Sequence, residues 1–293
     1  MREFLDKKGK TIITKTEFDS LNDYMVHINK WPLNQPFQRA YDREGITDKT
    51  SIFYPIHSER QSPRTTSFTG TESFEEAMEL FKNGVPDESK KLIQMLKAEQ
   101  KMEPLMVQRR VNSIQGFQPI VPLYLAGVPN NMVSTRLKPV KQKVVNLYTN
   151  VSYLAHTKQG DIRKECIKKF RLITKLESQN YRVNLFLLFG VRSNAWSSNG
   201  EEHLCIIKLK SANERLNISK LSFPLVHPSM ERRLLFKFVE KYPNLTDDRF
   251  LGGYGSNIPN DKIRAMIGNG VLLPLFIKKD IDEIRDLDDL KYL

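Results

Sequence analysis

Residues 143–193 constrain the fold more than any other stretch of this chain. An apolar run at Val144–Tyr148 is followed by a polar corner, a long amphipathic segment at Asp161–Gln179, and a second apolar run at Tyr181–Val191. The pattern predicts strand, helix, strand. A crossover long enough to carry a helix joins parallel strands rather than a hairpin, and neither run shows the polar alternation of a half-exposed sheet. Runs at Leu204–Leu209 and Val271–Ile277 read as further strands, and Leu221–Val226 as a short extra one. The expected fold is therefore α/β: a three-layer Rossmann-like sandwich with a mainly parallel sheet over residues 140–293, preceded by an N-terminal helical and irregular region over residues 1–139.

Helical punctuation fills in the rest. Thr16–Trp31 places Phe18, Leu21, Tyr24, Met25 and Ile28 on one face. Ser73 stands as N-cap, with Glu76 as its capping-box partner, before a stripe of Phe74, Ala77, Met78 and Phe81 that Asn83-Gly84 stops. A helix is expected over Asp87–Met102, another over Met230–Lys241 capped by Ser229, a short one near Asp261–Ile267, and an acidic one at Ile281–Leu290. Prolines and glycines break every long pattern between 104 and 142, leaving Ile120–Leu125 as a strand candidate.

Charge narrows the function classes. The 46 Lys and Arg residues outnumber the 34 Asp and Glu by 12, and six of those acids lie in residues 280–293 beside only Arg285 and Lys291. Residues 1–279 thus carry +16, a balance that attracts polyanions, nucleic acid first. The amphipathic segment adds a cationic face of Arg163, Lys164, Lys168, Lys169, Arg171 and Lys175, and Lys138, Lys141 and Lys143 lie just before it. Such a density of cations suits salt-sensitive, sequence-independent contact with phosphates. No segment has the length and apolarity of a signal peptide or a membrane span, so neither secretion nor membrane spanning is expected. Cys166 and Cys205 sit in apolar patterns and read as reduced core residues, without zinc-type spacing.

Catalytic signatures are sparse. No Gly-x-Ser-x-Gly occurs, the five histidines lack a recognisable partner spacing, and the corner Gly252-Gly253-Tyr254-Gly255 does not match a phosphate-binding loop. The sharpest candidate is an anion site at His227, Ser229, Arg232 and Arg233. A helix start presents backbone N–H groups there, and two guanidinium groups could grip a phosphate. The competing reading is a plain helix start with arginines paired to nearby acids.

Two resemblances bear on these expectations. The order of strand 144–148, polar corner, helix and apolar strand resembles the von Willebrand factor A-type domain. In that family a corner Asp-x-Ser-x-Ser holds a divalent ion. Here Tyr148, Thr149, Asn150, Val151 and Ser152 occupy those positions, so the carboxylate that attracts the ion is replaced and no metal or other cofactor is expected. The phrases Phe68–Ala77, Gly127-Val128-Pro129 with Met132, and His227-Pro228-Ser229 with Arg232, Arg233, Phe236 and Glu240 resemble a group of phage-encoded proteins. That resemblance implies a viral origin and residence in the host cytoplasm or the virion, but no activity.

The expectation is a non-catalytic accessory protein that binds nucleic acid, DNA before RNA, or a viral protein partner through its basic face. One alternative is a virion or assembly component that meets packaged DNA and neighbouring subunits, with self-association through the acidic C-terminus. The other is a phosphate-handling enzyme using His227 and Arg232.

Overall fold

A computed structural model describes residues 1–8, 11–61, 63–99, 108–137, 143–153, 157–193, 200–246, 254, 256–277, 281–284 and 289–292. Strands β1 (Arg2–Lys8) and β2 (Thr11–Phe18) form an antiparallel ladder, after which come helices α1 (Leu21–Lys30) and α2 (Gln35–Glu44). Helices α3 (Pro63–Thr69), α4 (Phe74–Asn83) and α5 (Pro86–Glu99) precede an excursion made of β3 (Gln108–Ser113), β4 (Gln118–Pro119), α6 (Val121–Leu125) and β5 (Met132–Leu137). The segment β6 (Lys143–Asn150), α7 (Gln159–Ser178), β7 (Tyr181–Arg192) and β8 (Glu201–Lys210) follows. Next come α8 (Ile218–Val226), a π-helical stretch (Met230–Leu235) that runs directly into α9 (Phe236–Lys241), α10 (Asn260–Ile267), β9 (Val271–Leu273), and 3-10 turns at Ile281–Glu283 and Asp289–Tyr292.

The result is a mixed α/β fold on a six-stranded sheet of order β1-β2-β8-β7-β6-β9. Parallel pairing joins β2 to β8, β6 to β7 and β6 to β9, while β1/β2 and β7/β8 are antiparallel. The strand-helix-strand unit pairs as its pattern predicts, with Lys143 opposite Tyr181 and Asn150 opposite Leu188.

Strand alternation sends the two halves of each strand's side chains to different clusters. Leu147, Val183, Leu185, Leu187, Cys205 and Ile207 pack with α1, α7, α8 and α9 in the larger cluster. Tyr148, Leu188, Leu204 and Ile206 pack with Ile263 and Ile267 of α10 in the smaller one. Each fully buried side chain of this kind stabilises the fold by about 1.5–3 kcal/mol relative to exposure. The larger cluster therefore anchors most of the helices.

Several elements differ from the sequence expectation. Thr11–Phe18, read in part as helix, is a strand that enters the same sheet as β8. Its Ile and Thr side chains suit a pleated surface, and the helix waits until Ser20, whose side chain accepts from Asp23 N at 3.0 Å. Leu221–Val226 is helical rather than a strand. All six of its residues are buried, so periodicity carries no signal, and Asn217 caps it by accepting from Lys220 N at 3.0 Å. Ile120–Leu125 becomes the turn of helix α6, with a proline in its first positions, where the missing N–H costs nothing. The strand at 271 ends after three residues, and the acidic terminus forms 3-10 turns where described, with residues 285–288 outside the described set. Ser73 does cap α4, accepting from Glu76 N at 3.0 Å, but Glu76 reaches back to Glu72 N at 2.6 Å rather than to the cap's own N–H.

Candidate functional site: buried cations and a lysine cleft

Helix α7 explains where most of the anticipated cationic face goes. Its apolar arc of Ile162, Cys166, Ile167, Phe170, Ile173 and Leu176 is buried against the sheet, and the arc is wide enough to take cations down with it. Lys169 is buried, with Nζ 3.5 Å from Asn150 O, and burial pulls its ammonium down to about 8. Arg163 donates both Nε and Nη2 to Glu88 of α5, at 2.8 and 2.7 Å. Those bonds, outweighing the opposite effect of burial, hold the Glu88 carboxyl below its usual range. Lys168 donates to Glu165 at 2.6 Å and to Ile277 O at 2.9 Å, and Lys175 to Ile281 O at 2.9 Å. Arg171 is half-buried and held by an interaction within the fold. Lys164 remains open, 73% exposed at the side chain and 4.0 Å from Asp161. Lys143 is exposed at the start of β6, and Lys138 and Lys141 lie outside the described residues. Instead of one face, α7 carries a set of cations that tie it to α5, to the end of β6 and to the C-terminal segment.

The anticipated anion site is likewise internal. His227, Ser229, Arg232 and Arg233 do gather at the start of the π-helical stretch, but around protein groups. Arg233 is fully buried; it donates to Thr71 Oγ1 at 2.7 Å, Thr71 O at 2.7 Å, Ser58 O at 2.9 Å and Arg60 O at 3.3 Å. Arg232 donates to Phe68 O at 2.5 Å and lies 4.1 Å over the Phe68 ring. Ser229 caps nothing; its hydroxyl donates to Thr69 O at 2.7 Å and meets Thr71 Oγ1 at 3.0 Å. Burial lowers the His227 imidazole below its ordinary value, against the pull of Glu88 and Glu76. Gly70, at φ +78°, lets the 69–71 loop press against Pro228, and a Cβ there would sit 3.0 Å from that ring. The adjoining cavity, lined by Tyr153, His227, Glu231 and Arg232, has about 10 Å³, the room of one water molecule.

Sequence reasoning missed the other half of this cluster. Glu240, fully buried on α9, accepts from Ser58 N at 2.8 Å and from the hydroxyls of Ser58 and Tyr254. Burial pushes its carboxyl up to about 7, with those hydrogen bonds pulling back. Beside it Lys237 pairs with Glu59 and lies 3.9 Å over the Phe74 ring. Nothing in the spacing of residues 58, 71, 240 and 254 announces this, because the partners come from loops without periodicity. The cluster's chemistry is that of a clamp: two arginines and one carboxyl fasten the segment 57–71 to the π-helical stretch and α9.

The metal corner is also spent. Tyr148, in the aspartate's place, stacks on Phe186 with ring centroids 4.7 Å apart. Asn150 Oδ1 accepts from Ser152 N at 3.0 Å, and Ser152 Oγ accepts from Gly190 N at 3.2 Å. These residues do not fit a divalent ion, and among the described residues no three His, Cys, Asp or Glu side chains converge. No helix of the described residues is long and apolar enough to cross a membrane.

A ligand-sized space lies elsewhere. The carboxyl ends of the parallel pair β2/β8, the start of α1, the end of α4 and the first turn of α8 enclose a cleft of about 370 Å³. Four lysines line it: Lys82, Lys208, Lys210 and Lys220. Lys210 is buried and committed, donating to Glu177 at 2.7 Å and Val183 O at 3.1 Å. The side chains of Lys82, Lys208 and Lys220 have no hydrogen bond and no ion pair within 4 Å among the described residues. Two carboxylates share the rim. Asp19 meets Arg2 at 3.2 Å, and Glu214 accepts from Ser211 N at 3.0 Å. The Glu214 carboxyl is held low by that backbone bond first, and by Lys220, Lys210 and Lys208 over the small opposing effect of burial. The positive end of the α1 dipole points into the same space. The arrangement offers an anion three ammonium groups with no hydrogen bond of their own among the described residues, beside the Glu214 carboxylate on the rim.

No curated protein and no solved structure gives a significant match to the chain. Residues 7–286, nearly its whole length, match the model described as Domain of unknown function (DUF7192), and the chain belongs to that family.

Proposed function

We propose that this protein binds nucleic acid, DNA before RNA, through the lysine cleft at the carboxyl ends of β2 and β8, as a binding protein rather than a catalyst. The observation that carries this reading is the set of ammonium groups on Lys82, Lys208 and Lys220, without a hydrogen bond or close ion pair among the described residues and gathered around one opening. The +16 balance of residues 1–279 supports it by drawing polyanions toward the surface. The cations of α7, the first expectation for the interface, contribute to that field, while the direct contacts of Arg163, Lys168, Lys169 and Lys175 go to the fold and Lys164 stays open. A phosphate-handling enzyme built on His227 and Arg232 is disfavoured, because their surroundings leave space for a water and no more. Helices α7 and α8 in one cluster and α10 in the other also favour the three-layer reading of the fold.

The test is a salt titration of binding to fluorescently labelled duplex and single-stranded oligonucleotides, read by anisotropy. Three lysines meeting three phosphates of a duplex predict a slope of about −2.7 in log K against log salt. No binding at 50 mM salt, or binding indifferent to salt, would remove the proposal.

A further inference from the structure

The excursion β3-β4-α6-β5 stands apart from the rest of the chain. Its strands form their own three-stranded sheet, in the order β3-β5-β4, and among its described side chains none is buried. The ladder fixes which end of the arm is apolar. Ser113 pairs with Met132 at one end, and Arg109 with Arg136 toward the other. Both connections, 114–117 and 120–131, leave the sheet at the Ser113/Met132 end, and they carry the exposed side chains of Ile114, Phe117, Val121, Tyr124, Leu125 and Val128. Leu125 is 78% exposed and Ile114 71%. Apolar surface is thus gathered at one tip, a concentration that marks a docking surface.

We propose that this tip inserts into the interfacial layer of an anionic lipid bilayer. Composition is the first ground for that occupant. Residues 119–129 carry no charged or amide side chain and a single hydroxyl, that of Tyr124, a residue type suited to the boundary between head groups and acyl chains. The second ground is that much of the tip's backbone is already hydrogen-bonded within the arm. Pro119, Pro122 and Pro129 have no N–H to satisfy. Ile120 N donates to Asn131 O, Leu123 N and Tyr124 N to Ile120 O, Ala126 N to Pro122 O, Gly127 N to Tyr124 O, and Val128 N to Leu123 O, at 2.7 to 3.1 Å. A protein groove or a nucleic-acid strand can pair with open donors, whereas hydrocarbon penalises them. Charge is the third ground. Residues 108–137 contain Arg109, Arg110 and Arg136 and no acid. Their places in the ladder lie about 10–13 Å behind the tip, near the reach of the field from anionic head groups. A tip of this length enters the interface by about 5–10 Å and does not span it, in keeping with the lack of a spanning helix among the described residues.

The full-length protein is mixed with vesicles of phosphatidylcholine and phosphatidylserine, and with vesicles of phosphatidylcholine alone, and bound protein is read by co-sedimentation. A basic body adsorbs to anionic vesicles by charge alone, so the deciding variant leaves charge unchanged: Tyr124→Ser with Leu125→Ser. Wild type is expected to bind the mixed vesicles more tightly than the neutral ones. The double substitution should lower affinity for the mixed vesicles at least tenfold with an unchanged melting temperature, since both side chains are exposed in the free protein. Leu125→Trp supplies a reporter, whose emission beyond that of wild type should move to the blue on the mixed vesicles and be quenched by brominated acyl chains. Wild type that ignores the mixed vesicles overturns the inference, as does binding that survives the double substitution, or a Leu125→Trp emission that does not move. Self-association lost on the double substitution, in a protein that ignores vesicles, also overturns it and assigns the tip to a second copy of the chain. Oligonucleotide affinity in the double-substituted protein should be unaltered, because no residue of the arm lines the lysine cleft; its loss would assign the tip to nucleic acid instead.

Discussion

Helix α7 and the lysine cleft are both rich in cations, yet they use them in opposite ways. On α7, Arg163 ends on Glu88, Lys168 and Lys175 end on carbonyls of the C-terminal segment, and Lys169 is buried beside Asn150. At the cleft, the ammonium groups of Lys82, Lys208 and Lys220 make no hydrogen bond and no ion pair within 4 Å among the described residues, and Lys208 and Lys220 act on Glu214 only through their field. The first group does structural work and would be missed as stability. The second leaves its hydrogen-bonding capacity for a ligand. Charge density along a helix therefore says little about binding until the partners of each ammonium group are known.

That contrast can be broken most forcefully at Lys169. A Lys169→Glu substitution puts a carboxylate near Glu165 in a buried position and should cost about 3–5 kcal/mol, enough to unfold the protein on mild warming, as urea melts would show. Lys169→Met, which keeps the stem and removes the charge, should leave stability equal or higher. Wild-type stability should also depend on pH in an uncommon direction. Because the folded-state ammonium is held down to about 8 and an unfolded lysine titrates near 10.4, the unfolded chain binds more protons between those values. Stability contributed by Lys169 then rises on going from pH 8 to pH 10, by on the order of 2 kcal/mol, and Lys169→Met should abolish that rise. Arg163→Ala strips Glu88 of a bidentate partner and should cost about 1–2 kcal/mol in thermal melts, with oligonucleotide affinity nearly unaltered. Lys164→Glu should be the mildest, within about 0.5 kcal/mol, because that side chain is solvated and its pairing with Asp161 is loose.

The contrast also marks how far the sequence could be read. The unit β6-α7-β7 was legible because each part has its own period and the parts are contiguous. So was the Ser73 cap, a signal confined to four residues. The pairing of β2 with β8 was not, because Phe18 and Ile207 are brought together by the fold and no local pattern links them. Nor could the pattern of α7 distinguish a lysine in water from one ending on Ile277 O or Ile281 O, carbonyls more than a hundred residues away. His227, Ser229, Arg232 and Arg233 are neighbours in sequence, but the groups they face come from the loops at Ser58 and Thr71 and from the end of α3, more than 150 residues away. The cleft lysines come from α4, β8 and α8, three elements whose spacing in sequence carries no information about their meeting.

The most direct test of the account compares two double substitutions of equal charge change at one low salt concentration, using anisotropy with a labelled duplex. Lys208→Glu with Lys220→Glu should lower affinity at least tenfold, which is about 1.4 kcal/mol or more, while the melting temperature stays put. Lys143→Glu with Lys164→Glu, exposed positions outside the cleft, should change it no more than about threefold, the effect of the general field alone. Equal losses in the two pairs, or no loss in the cleft pair, would contradict the assignment of binding to the cleft.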